Sequence, residues 1–382
     1  TTGTKDNAEL DYKSETTKEV TLGTVFEVET LDDYLADDNE TFKVSINDSS
    51  YKHPSTPIYE NVKTDTNPVT TTIKDNTTTN TETDEEVVKI ILVATDSTGK
   101  IPLDSDGKVD LSKNTNETPE GGKLYYIAVA VDKDGKPLAT QDGDVTINYG
   151  NTSDKDATAG VDYDNTTTKT IKVGEVFEVA TNDDYYAEGD ENFTVKITDL
   201  KKSPYETPSI DTSNDTVTST ITDNVPVKNH QVDNIGGIDG TVYGKEDTVY
   251  AVITPNTTSV VEGGEVTYTV KLVDSTGKEV KVTSDTKVTV TFGTNNSVSD
   301  GEVELKGTPN NNPLENGENI TITIPKNGNS ASFTIKTKDD FTADNNETFN
   351  LKITDIDSKE FENIVYDDKN GINTTIKDGV TL

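Results

Sequence analysis

Cysteine, methionine, tryptophan and arginine are all absent from this 382-residue chain. Without cysteine no disulfide can staple the fold, so its stability must come from packing or from a ligand. Without methionine, residue 1 is not a translation start, and the expectation is an internal or processed piece of a longer protein. No run of 18 apolar residues is present, so no helical membrane span is expected. The N-terminus has no charged-plus-apolar leader, which puts any export signal outside this piece. Basic residues number 34 against 71 acidic ones, a net charge of −37. That balance argues against nucleic acid and anionic membrane surfaces as partners. Hydrophobic residues make up only 30 % of the chain. Sparse apolar content with high net charge is also the composition of disorder, so order has to be established from pattern.

The pattern is there. Threonine and serine suit half-exposed strands and turns, while Asn, Asp and Gly suit turns. Three segments align: Asp-Asp-Tyr-Leu-Ala-Asp-Asp-Asn-Glu-Thr-Phe-Lys-Val-Ser-Ile over 32–46, Asp-Asp-Tyr-Tyr-Ala-Glu-Gly-Asp-Glu-Asn-Phe-Thr-Val-Lys-Ile over 183–197, and Asp-Asp-Phe-Thr-Ala-Asp-Asn-Asn-Glu-Thr-Phe-Asn-Leu-Lys-Ile over 339–353. Each is followed by a closing strand: Thr72-Ile-Lys-Asp-Asn76, Thr220-Ile-Thr-Asp-Asn224 and Thr375-Ile-Lys-Asp-Gly379. The period of about 150 residues is that of a domain, not of a solenoid turn. Within the copies, apolar residues alternate at period two: Phe42, Val44 and Ile46; Phe193, Val195 and Ile197; Phe349, Leu351 and Ile353. Val266, Tyr268, Val270 and Leu272 do the same, as do Ile320, Ile322 and Ile324. This is the signature of sheets with one buried face. Turn-residue clusters between short strands point to β-sandwiches. A disordered polar tract has no reason to keep three in-phase copies of that alternation.

Repeats two and three carry a Glu-Gly-Gly turn ahead of an apolar strand, at Glu120-Gly-Gly122 and Glu262-Gly-Gly264, and repeat one has none. The sequence therefore divides into the second half of a first repeat (1–76), a second repeat (77–224) and a third (225–382). Linkers are expected near Thr77–Glu85 and Val225–Lys245. Half a sandwich leaves open edges and an uncovered apolar face. Either the chain was cut there, or another chain supplies the rest.

The acids are not spread evenly. Each repeat has Asp-Asp at a strand end, an acid four residues after the second Asp (Asp37, Glu188, Asp344), a glutamate three further on (Glu40, Glu191, Glu347), and an aspartate closing the last strand (Asp75, Asp223, Asp378). Strand-end carboxylates converging at one pole of a sandwich repel one another unless a cation intervenes. Calcium, with six to eight oxygen ligands and flexible geometry, suits such loops better than magnesium. Zinc would want His or Cys. No EF-hand loop is present.

At these residues the chain resembles the Calx-beta domain, an immunoglobulin-like β-sandwich of sodium–calcium exchangers, integrin β4 and large bacterial surface proteins. The resemblance rests on the Asp-Asp-x3-acid-x2-Glu-x-Phe core, the Glu-Gly-Gly turn and the closing Thr-Ile-x-Asp. It covers the second half of repeat one and most of repeats two and three. It implies calcium at one pole of each sandwich. The implied ligands are Glu120, Asp162, Asp184, Glu188 and Asp223 in repeat two; Glu262, Asp340, Asp344 and Asp378 in repeat three; and Asp11, Asp33, Asp37 and Asp75 in repeat one. Three departures stand out. Repeat three lacks the Asp-Tyr of Asp162-Tyr163, leaving Asp300 or Glu302 as substitutes. Aspartate replaces glutamate at 37 and 344, with a shorter reach. The repeats also exceed the family's usual length, so insertions are expected at Gly99–Asn116 and Asn295–Gly317.

The expected fold is all-β: tandem immunoglobulin-like, Calx-beta-like sandwiches in an elongated array. The expected function is a calcium-stabilised extender of a giant RTX-type bacterial adhesin, extracellular and without catalysis, its partners calcium ions and neighbouring repeats. The alternative is a self-assembling filament or surface-layer subunit whose first repeat a neighbour completes, which would make homotypic assembly its defining contact. A sensor domain, as in exchangers, fits several near-equal copies less well. His53 and His230 lie in different repeats with no Ser or Cys partner and read as surface residues. Paired carboxylates could hydrolyse glycosides, but tryptophan is absent and aromatics are only 6 %. Sequons at Asn39, Asn192 and Asn346 are what so much Asn and Thr produces by chance.

Overall fold

The computed structural model describes residues 12–13, 17–31, 34–36, 40–47, 59–74, 87–150, 156–164, 167–223, 246–293, 296–298, 301–307, 312–339 and 346–379. Both expected linkers, both histidines, Asn39, Asp300, and the candidate ligands Asp11, Asp33, Asp37, Asp75, Asp340 and Asp344 lie outside the described residues. The chain is all-β, with a single 3-10 turn at Leu111–Lys113 among the described residues. It falls into two compact units.

The first unit begins with β1 (Thr41–Val44) and β2 (Val69–Thr72), an antiparallel pair. The sandwich that follows is built from β3 (Val87–Thr95), β4 (Thr115–Pro119), β5 (Lys123–Val131), β6 (Asp144–Gly150), β7 (Thr168–Lys172), β8 (Val176–Ala180), β9 (Glu191–Lys202), β10 (Thr207–Ile210) and β11 (Thr216–Thr222). One sheet runs β10-β3-β5-β8 and the other β4-β11-β9-β6-β7. β3 with β5, β5 with β8, β6 with β7 and β6 with β9 pair antiparallel, and β10 pairs with β3 in parallel.

The second unit repeats that topology with β12 (Thr248–Pro255), β13 (Ser259–Val261), β14 (Glu265–Val273), β15 (Thr286–Phe292), β16 (Val303–Leu305), β17 (Asn312–Pro313), β18 (Asn319–Ile324), β19 (Ser330–Thr337), β20 (Glu347–Asp357), β21 (Asn363–Tyr366) and β22 (Ile372–Lys377). Its sheets are β17-β16-β19-β14-β12-β21 and β13-β22-β20-β15-β18. Strand for strand, β21, β12, β14 and β19 answer to β10, β3, β5 and β8. The parallel pair recurs as β21 on β12. By sequence, β1 and β2 answer to β9 and β11.

Period-two alternation sets the core. Phe193, Val195 and Ile197 of β9 are at most 1 % exposed, as are Phe349, Leu351 and Ile353 of β20 and Val266, Tyr268, Val270 and Leu272 of β14. A tyrosine ties the two sheets of each sandwich. The Tyr126 hydroxyl meets Ser219 Oγ at 2.6 Å, and Tyr268 meets Thr374 Oγ1 at 2.5 Å. Each tyrosine also stacks on a phenylalanine of the next strand, Tyr126 on Phe177 at 5.3 Å and Tyr268 on Phe333 at 5.4 Å. The expected insertions have structural roles. Ile101, Val109 and Leu111 pack on Ile91, Val93, Ile127, Val129 and Val131, covering the outer face of β3 and β5. That second cover explains why these two strands read as apolar runs and not as alternation. In the other sandwich, β16 and β17 extend the sheet beyond β19, and Val298, Val303 and Leu314 join the core.

Repeat one departs from the expected face. Phe42 is buried, stacked on Tyr12 at 4.7 Å just as Phe193 stacks on Tyr163 at 4.5 Å. Ile46, however, is 56 % exposed where its counterpart Ile197 is 1 %, and Phe26 is 43 % exposed where Phe177 is 8 %. The physical reason is cover: in repeat two the sheet of β3 and β5 faces Ile197 on β9, and Tyr126 of β5 stacks on Phe177 from the neighbouring strand, while among the described residues no strands of repeat one answer to β3 and β5.

Candidate metal centre

Backbone hydrogen bonds gather the acids of repeat two. The Glu120 N–H donates to the Thr222 carbonyl at 3.0 Å, beside Asp223. The Gly121 N–H donates to Asn182 O at 3.0 Å, and the Thr181 N–H to Gly122 O at 3.0 Å, beside Asp183 and Asp184. The Glu-Gly-Gly turn is thereby clamped between the two strand ends that carry aspartates. Gly121 has φ of +69°, and a Cβ there would meet the Asp183 Cβ at 3.2 Å, so glycine lets the chains approach. Repeat three repeats the clamp: Glu262 N–H to Lys377 O at 3.0 Å, beside Asp378, and Thr337 N–H to Gly264 O at 2.9 Å, close to Asp339.

Glu120 is half-buried, and its Oε2 accepts the Asp184 N–H at 3.4 Å. Burial, followed by the charges of Asp184, Glu362 and Asp223, pushes its carboxyl up to about 8 against the pull of that N–H. Asp184 Oδ1 accepts the Tyr186 N–H at 2.7 Å, and both oxygens of Asp223 accept the Gly189 N–H at 3.0 Å. Asp162 is buried in a one-turn loop, its Oδ2 taking the Thr158 N–H. Glu188 and Glu191 offer carboxylate oxygens within 4.8 Å of one another. Of the residues assigned to repeat two, the structure thus brings Glu120, Asp184 and Asp223 together.

In repeat three, a cavity of about 290 Å³ is lined by Glu262, Glu302, Asp339 and Glu347, with Lys338 as the cation on its wall. Glu302 occupies this lining; Asp378 is half-buried at the end of β22. The oxygen-bearing side chains gathered in both repeats are carboxylates without His or Cys, a set that fits a hard cation such as calcium.

Two acids escaped the sequence reading. Glu191 was noted only as part of the spacing. Glu362, which precedes β21, adds its charge to the Glu120 group. The signal was an aromatic-Glu pair recurring at Tyr59-Glu60, Tyr205-Glu206 and Phe361-Glu362.

No protein-family model and no curated protein matches the chain. Solved structures do resemble it. The apo-form Calx CBD1 domain is 13 % identical over 34 % of this chain and 97 % of that one, with a TM-score of 0.24. The calcium binding domain CBD12 of CALX1.1 is 10 % identical over 69 % and 96 %, with a TM-score of 0.25. FdeC, an adhesin of Escherichia coli, is 9 % identical over 82 % and 69 %, with a TM-score of 0.22. All are β-sandwich likenesses too loose to transfer a function.

Proposed function

We propose that the chain is a calcium-stabilised structural extender from the stalk of a large bacterial cell-surface adhesin, extracellular and non-catalytic. The repeats are 1–76, 77–224 and 225–382, set in series. The observation that carries this reading is the clamp on Glu120: the backbone holds an acid against two acidic strand ends, and its carboxyl resists ionisation when no cation is present. Calcium at that pole turns mutual repulsion into shared ligation. The ligands in repeat two are Glu120, Asp162, Asp184, Glu188 and Asp223, and the corresponding sets serve the other repeats. Millimolar calcium outside the cell suits weak sites of this kind. At a hundred times its dissociation constant the ion adds about 2.7 kcal/mol per site, a large share of the stability of domains with so few apolar residues.

Thermal melts with calcium, with magnesium and with chelator test this. A calcium-specific rise in midpoint supports it. Equal midpoints in all three would reduce the acids to a solvated surface.

A second reading, a self-assembling filament or surface-layer subunit, is favoured by one observation: the exposed Phe26, Val28 and Ile46 of repeat one, whose counterparts in repeat two are buried. Electron microscopy separates the two readings, since an extender gives single arms and an assembling subunit gives fibres.

A further inference from the structure

Among the described residues, neither the first nor the last strand of either sandwich lies at a sheet edge. In repeat three the first strand, β12, lies between β14 and β21, and the last, β22, lies between β20 and β13. In repeat two β3 lies between β5 and β10, and β11 lies between β9 and β4. The entering chain of repeat three is bonded in both sheets. β12 pairs in parallel with β21, from Thr248 opposite Asn363 to Ala251 opposite Tyr366. The chain then changes sheet, and β13 pairs in parallel with β22, from Ser259 opposite Thr375 to Val261 opposite Lys377. Backbone bonds continue that second pair at both ends: the Thr375 N–H donates to Thr258 O at 3.0 Å and the Glu262 N–H to Lys377 O at 3.0 Å. A buried threonine ties β13 to the opposite sheet. Thr337, the last residue of β19, is fully buried; its hydroxyl reaches the carbonyls of Val261 and Gly264 at 3.3 and 3.2 Å, and its N–H donates to Gly264 O at 2.9 Å. Thr181 repeats the tie in repeat two, with its hydroxyl 3.3 Å from Pro119 O and 3.2 Å from Gly122 O, and its N–H donating to Gly122 O at 3.0 Å.

A strand pulled along its own length loads all the bonds of its ladders together. An edge strand pulled crosswise from one end gives up its bonds one at a time. β13 and β22 run parallel, so tension between the two ends of repeat three draws them in opposite directions along their lengths and shears the evenly spaced bonds between them. β12 and β22 cannot peel away, because each is bonded on both sides. We propose that each sandwich is a directional shear clamp, strong along the chain and weak across it, in which Thr337 and Thr181 hold the entering strand to the opposite sheet. The inference rests on the reading of the chain as an extender, whose repeats carry tension from end to end, and it is independent of calcium.

Forced unfolding is governed by the unfolding rate and not by the equilibrium stability, so single-molecule pulling is the test. The chain has no cysteine of its own, and a pair of exposed cysteines therefore fixes the pulling axis within the full chain. Glu246→Cys with Gly379→Cys pulls repeat three along its terminal strands. Asn319→Cys with Asn373→Cys pulls crosswise, drawing the edge strand β18 by its first residue against β22, three ladders away in the same sheet. At one loading rate, in chelator, the first rupture should need a several-fold higher force on the 246–379 axis than on the 319–373 axis. Thr337→Val keeps the shape of the side chain and loses its hydroxyl; it should lower the 246–379 force towards the crosswise value and leave the 319–373 force unchanged. Equal forces on the two axes in the parent chain would overturn the clamp. A 246–379 force that Thr337→Val leaves unchanged would overturn the assignment of that residue. Fibres in electron microscopy would instead remove the extender reading, and the clamp's use with it, whatever the forces.

Discussion

Replacing Glu120 by glutamine removes the charge that the fold resists, and the sign of the effect depends on the ion. The distance from an ordinary 4.5 to about 8 would amount to about 5 kcal/mol for a group shut away from water. Glu120 is only half-buried, and solvent screening brings the figure down to about 1–2 kcal/mol. In chelator, the folded protein keeps the Glu120 proton up to about pH 8, while the unfolded chain releases it near its ordinary value. The contribution of the protonated carboxyl is therefore fully present below about pH 4.5 and is lost as pH rises through about 8. Glutamine is neutral at every pH and escapes that loss. Thermal melts in chelator should give equal midpoints at pH 5 and a midpoint about 2–8 °C higher for Glu120→Gln at pH 9, taking about 2–4 °C per kcal/mol for a domain of this size. In millimolar calcium at pH 7.5 the order should reverse, because the ion uses the charge. A variant no more stable than the parent at pH 9 in chelator would refute the account of the clamp.

Three further outcomes follow from packing. Ile197→Ala should cost about 2–5 kcal/mol in chemical denaturation, since Ile197 is 1 % exposed; Ile46→Ala at the corresponding position of repeat one, 56 % exposed, should stay within about 0.5 kcal/mol. Tyr126→Phe should cost about 1–2 kcal/mol, because it leaves the buried Ser219 hydroxyl without its 2.6 Å partner. Gly121→Ala should destabilise by more than about 1 kcal/mol in the same assay, since the residue sits at φ +69° against Asp183.

The half-buried strands were legible in the sequence because their chemistry alternates with the pleat: β9, β14 and β20 fall where Phe193, Val266 and Phe349 begin their runs, and those residues are buried. β3 and β5 were less legible as strands of one sheet face, because the 99–116 insertion buries their second face and erases the alternation. The approach of Glu120 to Asp184 and Asp223 was readable only as a shared spacing. The backbone bonds that impose it join residues about 60–100 positions apart, and no local pattern records such contacts. Glu362 was missed for the same reason: its role comes from the loop it faces and not from its own neighbours in sequence. The burial difference between Ile46 and Ile197 could not be read from strands of like pattern, since it depends on what covers them.

The most direct measurement is calorimetric titration of calcium into the chelator-treated chain, beside a chain carrying Glu120→Gln, Asp184→Asn and Asp223→Asn. The account predicts saturable, calcium-specific heat for the parent and a lower stoichiometry for the variant, with the other repeats still binding. No saturable heat up to several millimolar calcium, or the same stoichiometry in both chains, would contradict it.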